Sequence, residues 1–137
     1  MKPDSKHYTV RLELARQLEY PQGDTEHGYE LVVPLTRNGR LDVSSWEAHP
    51  RTCHVRRFRR GEADVVGHLE RERQGRWHFK YKNQQLDEGP SFRFENEQFS
   101  LGQYISVRAS DGNIYEFAIS AVHPAKSQGG DATSPSA

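Results

Sequence analysis

Residues 105–119 read ISVRASDGNIYEFAI, and this stretch decides the fold class. Ile105, Val107 and Ala109 stand at every second position. Tyr115, Phe117 and Ile119 resume that period after a break at Ser110-Asp111-Gly112. A period of two marks a strand with one buried face, because successive side chains point to opposite sides of the backbone. Gly112 can adopt the left-handed conformation that closes a three-residue loop. That loop pairs Val107 with Tyr115 and Ile105 with Phe117, keeping all four in the core. A two-residue Asp111-Gly112 turn would set Val107 against Glu116, which burial disfavours.

The same alternation recurs outward from this hairpin. Tyr8, Val10, Leu12 and Leu14 form one set, and Tyr29, Leu31, Val33 and Leu35 a second. Trp77, Phe79 and Tyr81 form a third, and Phe92 and Phe94 flank Arg93. No window carries an apolar helical stripe over three turns. The chain is therefore expected to be all-β: a small, mostly antiparallel β-barrel of six to eight strands. One short helical turn is predicted near residues 44–49. There Ser44 and Glu47 fit a capping box, Pro50 limits the extent, and Trp46 is placed to plug one end of the barrel. Around Gly75 a three-residue loop, Gln74 to Arg76, is expected to pair Leu69 with Tyr81, Glu70 with Lys80 and Glu72 with His78. Residues 19–28 are the longest expected connection between the early strands.

At 137 residues the chain suits one domain. Its 34% hydrophobic content is lean for a globular protein, even with eleven Gly added. The polar residues 1–6 are expected to form a flexible N-terminus. Residues 125–137, AKSQGGDATSPSA, are expected to form a disordered tail, leaving 7–124 as the folded unit. Cys53 is the single cysteine, which excludes an internal disulfide and a Cys-based zinc or iron–sulfur site within one chain. No apolar run reaches the roughly 18 residues of a membrane helix, and MKPDSKHYTV has no apolar signal core, so a soluble cytoplasmic chain is expected.

Nineteen Lys+Arg balance nineteen Asp+Glu, but the charge is unevenly placed. Residues 37–60 hold seven Arg against Asp42 and Glu47, while residues 83–137 hold seven acids against three bases. The densest run is RTCHVRRFRR at 51–60, with five Arg and no acid. The planar guanidinium fork suits phosphate, and neighbouring aromatics can stack bases. Arg51, Arg56, Arg57, Arg59 and Arg60 are thus candidate ligands for a polyanion (RNA, single-stranded DNA or a phosphate ligand) or for an acidic protein surface. Lys80, outward on its strand, joins them. The competing reading is an edge strand armoured with charge, or one paired with acids of the same chain. Val55 and Phe58 fall on opposite faces of an ideal strand, so either a bulge separates them or the strand ends near Arg57.

Asp24, Glu26 and His27 form a second candidate cluster, suited to acid/base work or a ligand at a barrel mouth; a solvated turn is the plainer reading. Cys53 lies in a cationic setting that would activate a thiol, against the usual role of a lone cysteine as packing. His78 is expected to meet Glu72 as a surface contact. No metal-ligand pair, Walker loop, GxGxxG or G-x-S-x-G motif is present, so no metal, cofactor or catalytic residue is assigned. FSLGQYISV at 99–107 resembles the GQY strand of the flavin-binding barrel in ferredoxin-reductase-like enzymes over nine residues. The Arg-x-Tyr-Ser motif of that family has no counterpart in IYEFAIS at 114–120, so no flavin residue carries over and Gly102 reads as a bend at a strand entry. The expected function is a non-catalytic binding module. The alternatives are a small-molecule barrel or small enzyme using residues 23–27, and a homo-oligomer joined through a strand edge.

Overall fold

A computed structural model describes residues 6–72, 75–90 and 93–125. Residues 1–5 and 126–137, Gln74 and Phe92, on which some of the expectations fall, lie outside the described residues. The strands are β1 (Lys6–Leu14), β2 (Asp24–Leu35), β3 (His54–Phe58), β4 (Val65–Arg71), β5 (Trp77–Tyr81), β6 (Gly89–Pro90), β7 (Tyr104–Arg108) and β8 (Ile114–Pro124). A helix α1 (Val43–Ala48) and three 3-10 turns, Pro50–Thr52, Gln84–Leu86 and Phe94–Asn96, complete the chain. The strands form one antiparallel sheet in the order β5-β4-β3-β2-β1-β8-β7-β6. Its two ends meet: the Phe79 N–H donates to the Glu88 carbonyl at 2.7 Å, and the Glu88 N–H returns a bond to Phe79 at 3.2 Å. The sheet is thus a nearly closed eight-stranded barrel. No helix among the described residues is long and apolar enough to cross a membrane.

Closure follows from the alternation. Val10, Leu12, Leu31, Val33, Leu69, Phe79, Ile105, Val107, Phe117 and Ile119 all point inward and are buried. The register slips between Glu13 and Leu14 and between Arg11 and Leu12, bulges of the kind that bend and coil a sheet. Gly67 shows how tightly the strands approach. A Cβ there would stand 2.1 Å from the Lys80 carbonyl oxygen and 2.7 Å from the Tyr81 ring, so only glycine lets β4 pair with β5 at this point.

The hairpin at 110–112 has the expected register, Val107 with Tyr115 and Ile105 with Phe117. The one at Gly75 does not: Leu69 pairs with Phe79, Glu70 with His78 and Gly67 with Tyr81. The Glu72 N–H bonds the Arg76 carbonyl, and the Gly75 N–H returns to the Glu72 carbonyl, matching the Ala109, Asn113 and Gly112 bonds of the other hairpin. In both, the left-handed glycine (φ 88° at Gly75, 90° at Gly112) is the last loop residue. Arg76 therefore pairs with Glu72 instead of belonging to the loop, and the pairing moves by two positions while each described strand residue keeps its face.

Three further expectations are corrected. The cap of α1 is Asp42, whose carboxylate accepts from the Ser45 N–H at 3.2 Å; the capping box on Ser44 is not the one used. Phe94 lies in a 3-10 turn, fully buried, rather than in a strand. β2 begins at Asp24, so most of the expected 23–27 loop is strand. Trp46 does pack at the barrel end, its ring 4.9 Å edge-on to Trp77 and its indole N–H donating to the Leu69 carbonyl.

Candidate functional site

β3 runs without a bulge from His54 to Phe58, so its parity sorts the arginines. Val55, Arg57 and, just past the strand, Arg59 follow the inward face; His54, Arg56, Phe58 and Arg60 follow the outward one. Phe58 is an outward residue buried beneath two guanidiniums, Arg11 at 4.2 Å and Arg56 at 5.3 Å from its ring centre. No bulge separates it from Val55; the strand ends at Phe58, one residue past Arg57.

The outward arginines are taken up by acids of the same chain. Arg56 bonds Glu30 at 2.8 Å and Asp64 at 2.7 Å. Arg60 grips Asp24 at 2.6 Å. Lys80 stands 3.4 Å from Asp87. Arg51 is exposed on the 3-10 turn after α1 and has no carboxylate partner among the described residues.

The inward pair meets something different. Glu88, the residue before β6, turns its carboxylate into the barrel, and that side chain is 0% exposed. Oε1 accepts from the Tyr29 hydroxyl at 2.8 Å and the Tyr81 hydroxyl at 3.2 Å. Tyr29 on β2 stands opposite Arg57 on β3. Arg57 Nε is 3.9 Å from Oε1 and Arg59 Nη2 is 3.5 Å from Oε2. The Nε atoms of both arginines are buried with no hydrogen-bond partner among the described residues. Two guanidiniums thus share one carboxylate, each at long range. Buried donors are ordinarily bonded, so these two N–H groups stand out chemically.

Above this cluster lies an aromatic rim. Tyr20 packs edge-on to His27 at 5.7 Å and to Tyr115 at 5.8 Å, and His27 lies 6.0 Å from Phe117. His27 therefore joins the arginines at one mouth of the barrel. The other members of its expected cluster do not: Asp24 binds Arg60 and Glu26 is exposed. Among the described residues no three His, Cys, Asp or Glu come together as a metal site.

Electrostatics follow from burial. Desolvation holds the Glu88 carboxyl above the ordinary glutamate range, opposed by the Tyr29 hydrogen bond and by Arg57 and Arg59. Burial and the adjacent Glu88 raise both Tyr29 and Tyr81, which stay neutral donors. Burial first, then Arg59, lowers His27, so its ring is neutral at pH 7. Cys53 is buried in the core with its thiol pushed up to about 11, which removes the activated thiolate from consideration.

The mouth thus gathers hydroxyl and guanidinium donors around one buried carboxylate. Glu88, Tyr29 and Tyr81 escaped sequence reasoning. The one available signal was the parity of Arg57 with Val55, since an inward arginine calls for an interior carboxylate. No family model, no curated protein and no solved structure matches this chain.

Proposed function

We propose that the chain is a non-catalytic binding module whose barrel mouth receives the anionic head of a small ligand between Arg57 and Arg59. One observation carries this reading: two inward guanidiniums share a single buried carboxylate and keep their Nε–H groups unpaired. A carboxylate or phosphate oxygen is the acceptor those donors lack, and charge-assisted bonds to it are the strong kind. Arg59, with 25% of its side chain exposed, is reachable from solvent, while Arg57 at 7% lies deeper. The ring-lined rim suits the apolar body of such a ligand. Arg56 and Arg60 are already neutralised, which favours a single head group at the mouth over a polyanion laid along the strand.

The test is an NMR titration of the whole chain with inorganic phosphate, and separately with mixed short single-stranded DNA at low salt. Saturable phosphate shifts at Tyr29, Arg57, Arg59 and Glu88, lost in Arg59→Gln, support the mouth. Shifts only with DNA, spread over outward residues of β3 and β4, would overturn it in favour of a polyanion surface. The absence of any saturable shift with phosphate would overturn it as well.

A further inference from the structure

The outer surface of β1–β4 is covered by a chain of ion pairs that stops short of one place. Glu13, Arg11, Glu30, Arg56 and Asp64 link in series at 2.7–3.2 Å. Two residue pairs further along, on the same face, His54 stands opposite His68 across β3 and β4, and the network ends. Beyond it opens a groove of ≈ 590 Å³ between the 3-10 turn and β4, with Pro50, Arg51, His54, Val66, His68 and Glu70 on its walls. Val66, beside Arg56 in the sheet, is 64% exposed. The comparable outward Phe58 is roofed by two arginines; Val66 has no such cover.

The two full charges of this groove are differently engaged. Arg51 is its permanent cation and carries no ion pair among the described residues. Glu70 is the one acid among these walls, already held by His68 at 2.6 Å. His7 lies beside His49 and His54 at the same end, and burial first, then those two rings, hold it below the ordinary histidine range, so it adds no charge here. We propose that this groove docks an acidic segment of a partner protein, an extended peptide that rests an apolar side chain on Pro50 and Val66 and sets a carboxylate against Arg51. The chemistry selects that class. A small ligand would stay mostly in solvent, because all six wall residues named above are themselves exposed. A nucleic acid would find one full cation and no Phe, Tyr or Trp on these walls to stack a base. A peptide needs an apolar anchor and one or two cations, and both are here. The site is independent of the barrel mouth.

The test measures fluorescence anisotropy of the full chain with a dye-labelled peptide of Glu and Leu, against a counterpart with Gln for every Glu. Saturable binding of the Glu peptide is expected, about tenfold tighter than the Gln peptide at low salt. Arg51→Glu and Val66→Asp should each weaken it by about tenfold or more, while Arg51→Lys keeps most of the affinity. Both positions are exposed, and unchanged melting of the variants separates lost docking from lost folding. Equal affinity for the two peptides, or indifference to Arg51→Glu and Val66→Asp, would overturn the proposal. So would a concentration-dependent dimer abolished by Val66→Asp, which assigns the groove to a second copy of the chain.

Discussion

The two faces of β3 carry the same residue in opposite circumstances. On the outside, Arg56 and Arg60 make contacts of 2.6–2.8 Å with carboxylates, and Arg56 lies over Phe58. On the inside, Arg57 and Arg59 reach Glu88 only at 3.9 and 3.5 Å and leave buried Nε–H groups unpaired. The outward pairs are well made but wet, so each is worth little. The inward contacts are poorly made but dry, so each matters more, because water cannot replace what geometry fails to supply. Four of the five arginines of this run are therefore two devices interleaved at a period of two. One is a neutralised shield over the strand; the other is a cationic lining for the barrel mouth.

The sharpest way to break this contrast is Glu88→Ala. It removes the shared counter-charge and strands the Tyr29 and Tyr81 hydroxyls. Removing one partner of a buried pair costs about 3–5 kcal/mol when contacts are close, and with contacts this long about 3 kcal/mol is expected. Urea unfolding monitored by the Trp46–Trp77 pair measures it. A loss under about 1 kcal/mol would mean that the mouth is as wet as the outer face, and the distinction between the faces would fall.

The same contrast explains what the sequence disclosed. Wherever a strand is long and one face buried, alternation alone placed the core: Val10 and Leu12, Leu31 and Val33, Ile105 and Phe117. The 110–112 hairpin was legible because burial discriminated between registers. The Gly75 hairpin was not, because moving the pairing by two residues leaves Leu69, Phe79 and Tyr81 inside in either register. Only the rule that the left-handed glycine comes last separates the two. Glu88 was illegible for another reason. It precedes a two-residue strand, too short to display a period, and it meets Tyr29 across 59 positions of chain. That encounter exists only once the barrel has closed, so no local pattern announces it.

Acid titration separates the faces next. Glu88 is held above the ordinary value of about 4.3, so its protonated form is favoured by folding. Its contribution is fully present below the unfolded value and is lost as pH rises through the folded one. Asp24 behaves oppositely: the Arg60 hydrogen bond lowers it, and its contribution is lost as pH falls. Glu30 also ends lowered, since Arg56 and Arg11 outweigh the upward push of burial. Wild-type stability measured relative to Glu88→Gln should therefore decline from pH 4 towards neutrality. The same difference taken against Asp24→Asn should instead hold nearly level over that interval and fall away as pH drops below the ordinary aspartate value of about 3.9. A flat Glu88 difference would place that carboxylate in ordinary solvent.

The smallest effect belongs to the shield. Arg56→Gln removes two short ion pairs, but 36% of the Arg56 side chain is exposed, as is 46% of Asp64. Exposed pairs contribute a few tenths of a kcal/mol each, so the expected loss is at most about 0.5 kcal/mol and should shrink further in high salt. The variant sharpens the comparison in a second way. Glu30 keeps Arg11 at 3.2 Å and Phe58 keeps the Arg11 guanidinium above it, so the outer face has a spare cation where the mouth has a spare donor. A loss from Arg56→Gln approaching that of Glu88→Ala would show that the guanidinium roof over Phe58, rather than ion pairing, holds this face together. Arg56→Met, which keeps the apolar stem over the ring, would then recover most of it.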